Sequence, residues 1–308
     1  MASVSIAVVG SLLLDVSIRA RQLVQPGGVV HGQESRADCG GRGANQACAA
    51  ARLGGRASLI GAVGDDILAD ALVSAVAREG VDTRAIVRRS GATSGCFIIV
   101  RDIAGATEIV VANGANGALS AADVERHAGI IVSAQALLVQ LETSPAAVET
   151  ALRIARAAGV RTILNAAPAG RSLPDLLPLC DAVTVNEQEA GALSGIPVRD
   201  TNGAARAAAA IRALGAGGVY VTLGAGGAWV DGLRWSGHLP GYAVPVVDTL
   251  GAGDTFAGAL AVRLSKGADE RAAAAFAAAA AALSVTRAGA LPAIPSRREV
   301  EDFLAARS

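Results

Sequence analysis

The residues best suited to chemistry lie in Asp248-Thr-Leu-Gly251-Ala252-Gly253-Asp254-Thr-Phe256. An apolar stretch over 242–247 reads as a strand leading in, and a helical pattern over 255–264 leads out. Small residues at 251–253 let several backbone N–H groups converge at a helix N-terminus, where geometry and dipole favour an anion. A carboxylate at Asp254 is misplaced there as an anion ligand. It fits a general base taking a proton from a hydroxyl that attacks a phosphate held by those amides. The other reading of the same residues is a glycine-rich turn whose aspartate caps the helix.

A second segment, Gly40-Gly41-Arg42-Gly43-Ala44-Asn45-Gln46, also opens a helix. Its glycines and asparagine can approach a polyol closely and bond its hydroxyls, or they form a tight loop with an N-terminal cap. The segment is not G-x-G-x-x-G, so a dinucleotide fold loses its fingerprint. Further polar residues stand where apolar runs end: Asp15, Glu142, and Asn186 with Glu189 as N-x-x-E. Open α/β sheets bind ligands at such strand ends, although each residue alone reads equally as a cap or an exposed polar group. Thr222-Leu223-Gly224-Ala225-Gly226-Gly227 follows another apolar run. It either lets a nucleotide lie along its backbone or turns a hairpin.

The elements that must position these residues follow a βαβ rhythm. Apolar runs at 4–9, 57–63, 136–140, 162–164, 182–185 and 218–222 alternate with helical stretches, including 43–53, closed by Gly54-Gly55, and 67–79, stopped by Gly80. Continuous apolar runs fit strands buried on both faces of a parallel sheet. The expected fold is α/β: a three-layer, mostly parallel central sheet flanked by helices, in one domain spanning 1–308. Mixed-polarity stretches near 15–40, and a hairpin of 96–101 with 107–112, do not fit the rhythm. They are assigned to a small β lid.

Composition excludes several classes. Basic and acidic residues balance at 27 each, leaving no positive field for nucleic acid or an anionic membrane. Lys266 is the single lysine and is followed by Gly267, so neither a Walker-A lysine nor a kinase strand lysine is available. The apolar run 272–283 is too short to span a bilayer and reads as a buried helix. The start, Met1-Ala-Ser-Val, has no basic region or cleavage site and reads as carrying no export signal. Cysteines 39, 48, 96 and 180 lack C-x-x-C spacing, which fits free thiols in a reducing cytoplasm. The three histidines are scattered, against a catalytic zinc site.

Taken together and in order, these segments resemble the ribokinase (PfkB) family of sugar kinases. The resemblance rests on Gly40 to Ala47 with Gly64-Asp65-Asp66 downstream, Val139-Gln140-Leu141-Glu142, Asn186-Glu-Gln-Glu189, Val221-Thr-Leu-Gly224 and Asp248 to Thr255. It implies transfer of the γ-phosphoryl of ATP to the primary hydroxyl of a sugar. Asp254 would be the base, and the amides of Gly251, Ala252 and Gly253 would stabilise the transferring group. Leu13, Asp15, Gly41, Arg42, Gly43, Asn45 and Glu142 would meet the sugar. Asn186, residues Thr222 to Gly227 and Gly253 would face the nucleotide, with Glu189 organising Mg²⁺ through water. A monovalent cation, usually K⁺, would be held by Asp248 and by carbonyls at Leu250, Ser284, Arg287 and Gly289. The lid would close over the sugar and form a homodimer interface, and closure would exclude water as a competing acceptor.

Departures bear on the acceptor. The first sugar motif of the family is Gly-Ser-x-Asn-x-Asp, whereas here Gly10-Ser11-Leu12-Leu13-Leu14-Asp15 puts leucine in place of the asparagine. An apolar residue there resembles the 2-deoxyribose kinases, although an apolar pocket rejects an added hydroxyl only weakly, about 100-fold. Leu13 could equally be turned into the core. Arg42 stands for the usual lysine, and Ala278 for a histidine near the nucleotide. The acceptors that follow are D-ribose, 2-deoxy-D-ribose, or a nucleoside, another ketose or a sugar acid. A sugar or nucleotide sensor on the same fold would have no use for Asp254.

Overall fold

The computed structural model describes residues 3–168 and 173–307; Met1 and Ala2, with which the reading of the N-terminus begins, lie outside them. The chain opens with β1 (Val4–Val9), β2 (Leu13–Ala20), β3 (Gly32–Gly40), α1 (Arg42–Arg52), β4 (Gly55–Gly64), α2 (Ala69–Arg78), β5 (Ile86–Arg89), β6 (Gly95–Arg101) and β7 (Thr107–Ala112). Short helices α3 (Ala121–Arg126) and α4 (Ala128–Val132) precede β8 (Ala136–Val139), α5 (Pro145–Ala157), β9 (Arg161–Asn165), α6 (Leu173–Leu176), β10 (Ala182–Asn186), α7 (Glu187–Ser194) and α8 (Thr201–Ala213). The last third carries β11 (Val219–Thr222), β12 (Ala228–Asp231), β13 (Ser236–Leu239), α9 (Ala252–Ser265), α10 (Glu270–Ser284) and α11 (Arg297–Ala305).

Nine strands form the central sheet in the order β13-β12-β11-β10-β9-β8-β1-β4-β5. Pairing is parallel from β11 to β5, and β12 and β13 are added antiparallel at one edge. Side chains alternate across a strand, so β1 feeds both layers. Ile6 and Val8 join the cluster built with α1, α9 and α10, while Ala7 and Val9 join the one built with α5 and α8. This is the three-layer, mostly parallel arrangement that the continuous apolar runs require. Residues 272–283 lie within α10, whose Ala273, Ala274, Phe276, Ala277, Ala279 and Ala280 are buried. Among the described residues no helix is long and apolar enough to cross a membrane.

The second sheet has the order β3-β2-β6-β7, with β2 and β6 parallel and both outer pairs antiparallel. It is the small β appendage assigned to 15–40 and 95–112, and its strand β2 starts two residues earlier, at Leu13. Asp66 anchors its return, accepting from Ser94 N at 2.6 Å and Ser94 Oγ at 2.8 Å. Asn116 clamps its first entry, accepting from Leu12 N at 2.9 Å and donating to the Leu12 carbonyl at 2.6 Å.

Two parts of the chain differ from expectation. Residues 242–247 are not a strand. Pro245 has no N–H to give a ladder, and Val246 and Val247 are 63% and 60% exposed. Instead the segment walls a cavity. The turn at 222–227 joins β11 to β12 as the hairpin that one reading of it allowed, while β13 was not foreseen, and Asp231-Gly232 begins the turn that leads to it. An Asp-Gly pair between apolar stretches was the available signal.

Candidate active site

The sheet's architecture decides where α1 can start. Gly10 ends β1 and Gly43 opens α1, and a Cβ on Gly43 would lie 2.4 Å from the carbonyl carbon of Gly10. Only glycine permits this approach, which seats the first turn of α1 on the end of β1 and brings Arg42, Asn45 and Gln46 over the C-terminal ends of the strands. The start of α9 arrives from the other side. Its N-cap, Gly251, has φ 75°, in the left-handed region that favours glycine, and a Cβ there would meet that of Ala290 at 2.8 Å. Ala252, Gly253 and Asp254 form the first turn, with their amides at the positive end of the helix.

Charged groups converge between these two helix starts. Glu142 Oε2 accepts from Ser11 Oγ at 2.5 Å and from Arg42 N at 3.1 Å, and Glu142 Oε1 accepts from Arg42 Nε at 3.1 Å. Arg42 Nη1 lies 4.0 Å from Asp254 Oδ1. The Asp254 carboxylate also accepts from Asn45 Nδ2 at 3.0 Å on Oδ2 and from Gln46 Nε2 at 2.9 Å on Oδ1. The carbonyl oxygen of Asn45 is buried without a partner, an acceptor left for a hydroxyl donor.

Burial pushes the Asp254 carboxyl up from its ordinary range, against the pull of Arg42, Gln46 and Asn45 on the charged form. Asp15, on β2, is pushed up to about 7 by burial and then by the charges of Asp254, Glu142 and Asp38. The Glu189 carboxyl is raised as well, first by burial, while the Asn186 amide and Arg42 oppose the shift. Arg42 thus faces Asp254, Glu142 and Glu189 together. A buried carboxylate whose proton affinity is raised, faced by one cation beside a row of helix-start amides, can accept a proton while an anion is bound next to it.

Leu13 is 3% exposed yet belongs to neither apolar core cluster. It lies at the mouth of the second sheet, paired with Gly40 and Gly95, and Gly41 passes its backbone closely. Asn186 and Glu189 form a capping box at the start of α7: Asn186 Oδ1 accepts from Glu189 N at 2.8 Å, and Glu189 Oε2 accepts from Asn186 N at 2.9 Å. The capping reading of N-x-x-E therefore holds, and the Glu189 carboxyl also feels the charges of Arg42 and Asp254. Asp248 shapes the loop before α9, with Oδ1 accepting from Leu250 N at 3.1 Å and Oδ2 from Gly289 N at 2.9 Å. The end of α10 is tied to the same loop, since the Val285 carbonyl accepts from Val247 N and Asp248 N. This brings the turn holding Ser284, Arg287 and Gly289 beside Asp248.

Next to the α9 start opens a cavity of about 430 Å³, lined by Thr222, Gly224, Ala225, Gly227 and Gly253, by Tyr242 to Val244, and by Ala278, Ala281 and Val285. Leu223, expected here, is packed into the core on the other face, and Gly226 is not in the lining. Ala278, expected near the nucleotide, lies in this wall, while sequence reasoning missed 242–246 and the rest of α10, since small alanines carry no chemical signal. A larger cavity of about 600 Å³ lies at the opposite end of the strands, where Gln135, Arg161, Ala182 and Gly218 stand at or beside the starts of β8, β9, β10 and β11. It holds none of the candidate site residues.

Against this geometry, the pattern described as pfkB family carbohydrate kinase matches residues 4–297. The chain belongs to this family. It is 39% identical over 302 residues to the ribokinase of Haemophilus influenzae, covering 97% of this chain and 98% of that one. It is 34% identical over 303 residues to the deoxyribokinase of Salmonella typhi, covering 97% and 98%. The structure of Arabidopsis thaliana ribokinase complexed with ribose and ATP superposes with a TM-score of 0.89 at 28% identity, over 98% of this chain and 99% of that one. This pfkB family member is therefore an ATP-dependent sugar kinase on a ribokinase-like fold.

Proposed function

We propose that the chain phosphorylates the primary 5-hydroxyl of a pentose, D-ribose first among them, with ATP as donor. The observation that carries the reading is the buried Asp254 carboxylate in the first turn of α9, one residue beyond the amides of Gly251, Ala252 and Gly253. Asp254 takes the proton of the attacking hydroxyl, and those amides meet the charge on the transferring phosphoryl group. The ribokinase and deoxyribokinase relatives support a pentose as acceptor. Asp15, Glu142 through its tie to Arg42, and the unpartnered carbonyl of Asn45 supply polar partners for sugar hydroxyls, with Gly41 and Gly43 giving close backbone approach.

The apolar, alanine-walled cavity with the turn at 222–227 along one side suits a flat nucleobase, and Thr222, Gly224, Ala225 and Gly227 would border the nucleotide. Glu189 keeps one carboxylate oxygen free of the capping box. One carboxylate beside substrate phosphates suits Mg²⁺, which retains water ligands and neutralises phosphate charge when bound. Asp248 already accepts two loop amides. The carbonyls at Leu250, Ser284, Arg287 and Gly289 form the all-oxygen donor set that a monovalent cation such as K⁺ would use, with Asp248 setting the loop. The second sheet leaves Ile98, Ile109, Val110 and Val111 exposed, and a second copy of the chain would cover them in a homodimer. The four free cysteines, Cys39, Cys48, Cys96 and Cys180, fit a reducing compartment such as the cytoplasm.

One observation favours a second acceptor. Leu13 offers no hydrogen bond to a hydroxyl near the sugar's 2-position, and it lies outside the core clusters that would explain its burial. This favours 2-deoxy-D-ribose. The test compares kcat/KM for D-ribose and 2-deoxy-D-ribose with ATP and Mg²⁺, in the natural protein and in Leu13→Asn. A buried hydroxyl gaining a partner is worth about 1–3 kcal/mol, so Leu13→Asn should move the ratio towards ribose by about tenfold or more. An unchanged ratio makes Leu13 packing only, and absence of turnover on both sugars overturns the pentose reading.

A further inference from the structure

A string of buried amides runs behind the reacting groups, and none of the roles above uses it. Gln46, on α1, is fully buried. Its Nε2 donates to Asp254 Oδ1 at 2.9 Å and to Asn165 Oδ1 at 3.0 Å. Its Oε1 accepts from Gln140 Nε2 at 2.6 Å. Asn165 in turn donates to Thr184 Oγ1 at 3.1 Å. Gln140, just past β8, is also fully buried and is pressed against Gly10, where a Cβ would fall 2.0 Å from its Oε1.

These partners allow one orientation of the Gln46 amide. Turned over, its oxygen would face the oxygens of Asp254 and Asn165, and its NH₂ would face the NH₂ of Gln140. Every polar atom of the Gln46 amide has a partner, which makes it rigid and costly to disturb, whereas Gln140 Oε1 is buried without one and its amide is held by its bond to Gln46 and by the close pass of Gly10. Asp254 itself is held on both oxygens, by Gln46 and by Asn45, so the rotation of its carboxylate is set from inside the protein.

We propose that Gln140 and Gln46 are positioning residues for phosphoryl transfer: Gln140 fixes the orientation of the Gln46 amide, and Gln46 fixes the Asp254 carboxylate. The inference rests on the reading of Asp254 as the base. It has a consequence in pH, because a donor to a carboxylate favours the charged form. The groups facing Asp254 are Arg42, Asn45 and Gln46 on α1, Glu142 after β8, Asp15 on β2 and Glu189 on α7. With Gln46 removed, the acidic members of that set act against one donor fewer, and the base protonates at a higher pH.

The experiment measures kcat, the KM of sugar and of ATP, and the pH profile of kcat/KM in four variants. Gln46→Leu deletes the donor without adding charge. Gln140→Leu deletes the donor to Gln46 Oε1, also without adding charge, so the Gln46 amide is no longer fixed from that side. Each should lower kcat/KM at pH 7 about tenfold and move the acid limb up by about one pH unit, with the KM of ATP within about threefold. The double variant should be no more than about threefold worse than the worse single one, because Gln140 acts through Gln46. An unmoved acid limb in both folded single variants overturns the inference, and losses that multiply in the double variant overturn the part given to Gln140. If Gln46→Leu fails to fold, Gln140→Leu, which adds no charge, alone carries the limb test. Asp254→Asn, the fourth variant, separates the layers: if it keeps turnover the base reading fails, and if it is inactive while the glutamine variants match the natural protein, only this inference fails.

Discussion

Arg42 is the cation on which the site's acidic groups depend, and Arg42→Gln measures how much. The guanidinium lies 4.0 Å from the Asp254 carboxylate. At that separation and an effective dielectric of about 20, the attraction is about 4 kcal/mol. The Arg42 side chain is 33% exposed, so water and salt screen part of it, leaving about 1–2 kcal/mol. That corresponds to about one pH unit. The sign follows from the chemistry: losing the cation disfavours the charged carboxylate, the base protonates at higher pH, and activity is lost over a pH range where the natural protein still works. Glu142 loses its Arg42 Nε partner at the same time and adds to the effect. The assay is kcat/KM for the sugar from about pH 5 to 9, with ATP saturating. Arg42→Gln should move the acid limb up by about one unit and recover most of its activity above it, while Arg42→Lys, which keeps the charge, should leave the limb within about 0.3 unit. A loss of the same size at every pH would refute the electrostatic reasoning and make Arg42 a sugar contact only.

Other expectations follow from the same geometry. Gly251→Ala forces a side chain into the left-handed region at φ 75° and against Ala290, displacing the α9 amides; kcat should fall at least about 30-fold, with a smaller change in the KM of the sugar in steady-state kinetics. Asp15, a proposed sugar contact, is held at a cost to the fold. Its carboxyl is raised from 3.8 to about 7, so the folded state binds the extra proton and loses stability as pH rises from about 4 to 7. Asp15→Asn should therefore raise Tm at pH 8 by more than at pH 4 in thermal melts without sugar, while weakening sugar binding.

The sequence carried the site's ends better than its interior. Glu142, just past β8, and Asn186, at the end of β10, were legible because a polar residue after an apolar run marks the rim of a parallel sheet, whereas Asp15 lies inside β2 of the second sheet. The α9 start was legible because three small residues before an acid have few other uses. The interior depends on pairs remote in the chain. Arg42 meets Glu142, and Gln46 meets both Gln140 and Asp254, across separations that no local pattern encodes, so the amide string read only as part of a motif. Residues 242–247 misled for a different reason. Apolar side chains suit a cavity wall as well as a strand, and Pro245 was the local sign that the backbone would not join a ladder. The Asn186 and Glu189 pair shows the converse, since one spacing satisfies a helix cap and leaves a carboxylate within electrostatic reach of Arg42 and Asp254.

The most direct test of the account is Asp254→Asn, assayed for phosphorylation of D-ribose and 2-deoxy-D-ribose with ATP and Mg²⁺, with calorimetric binding of sugar and nucleotide measured alongside. General-base catalysis contributes about 10²–10⁴-fold. The account predicts a fall in kcat of that order, with both ligands binding within a few-fold of the natural protein. Turnover within tenfold of the natural protein, in a variant that binds both ligands, would contradict it.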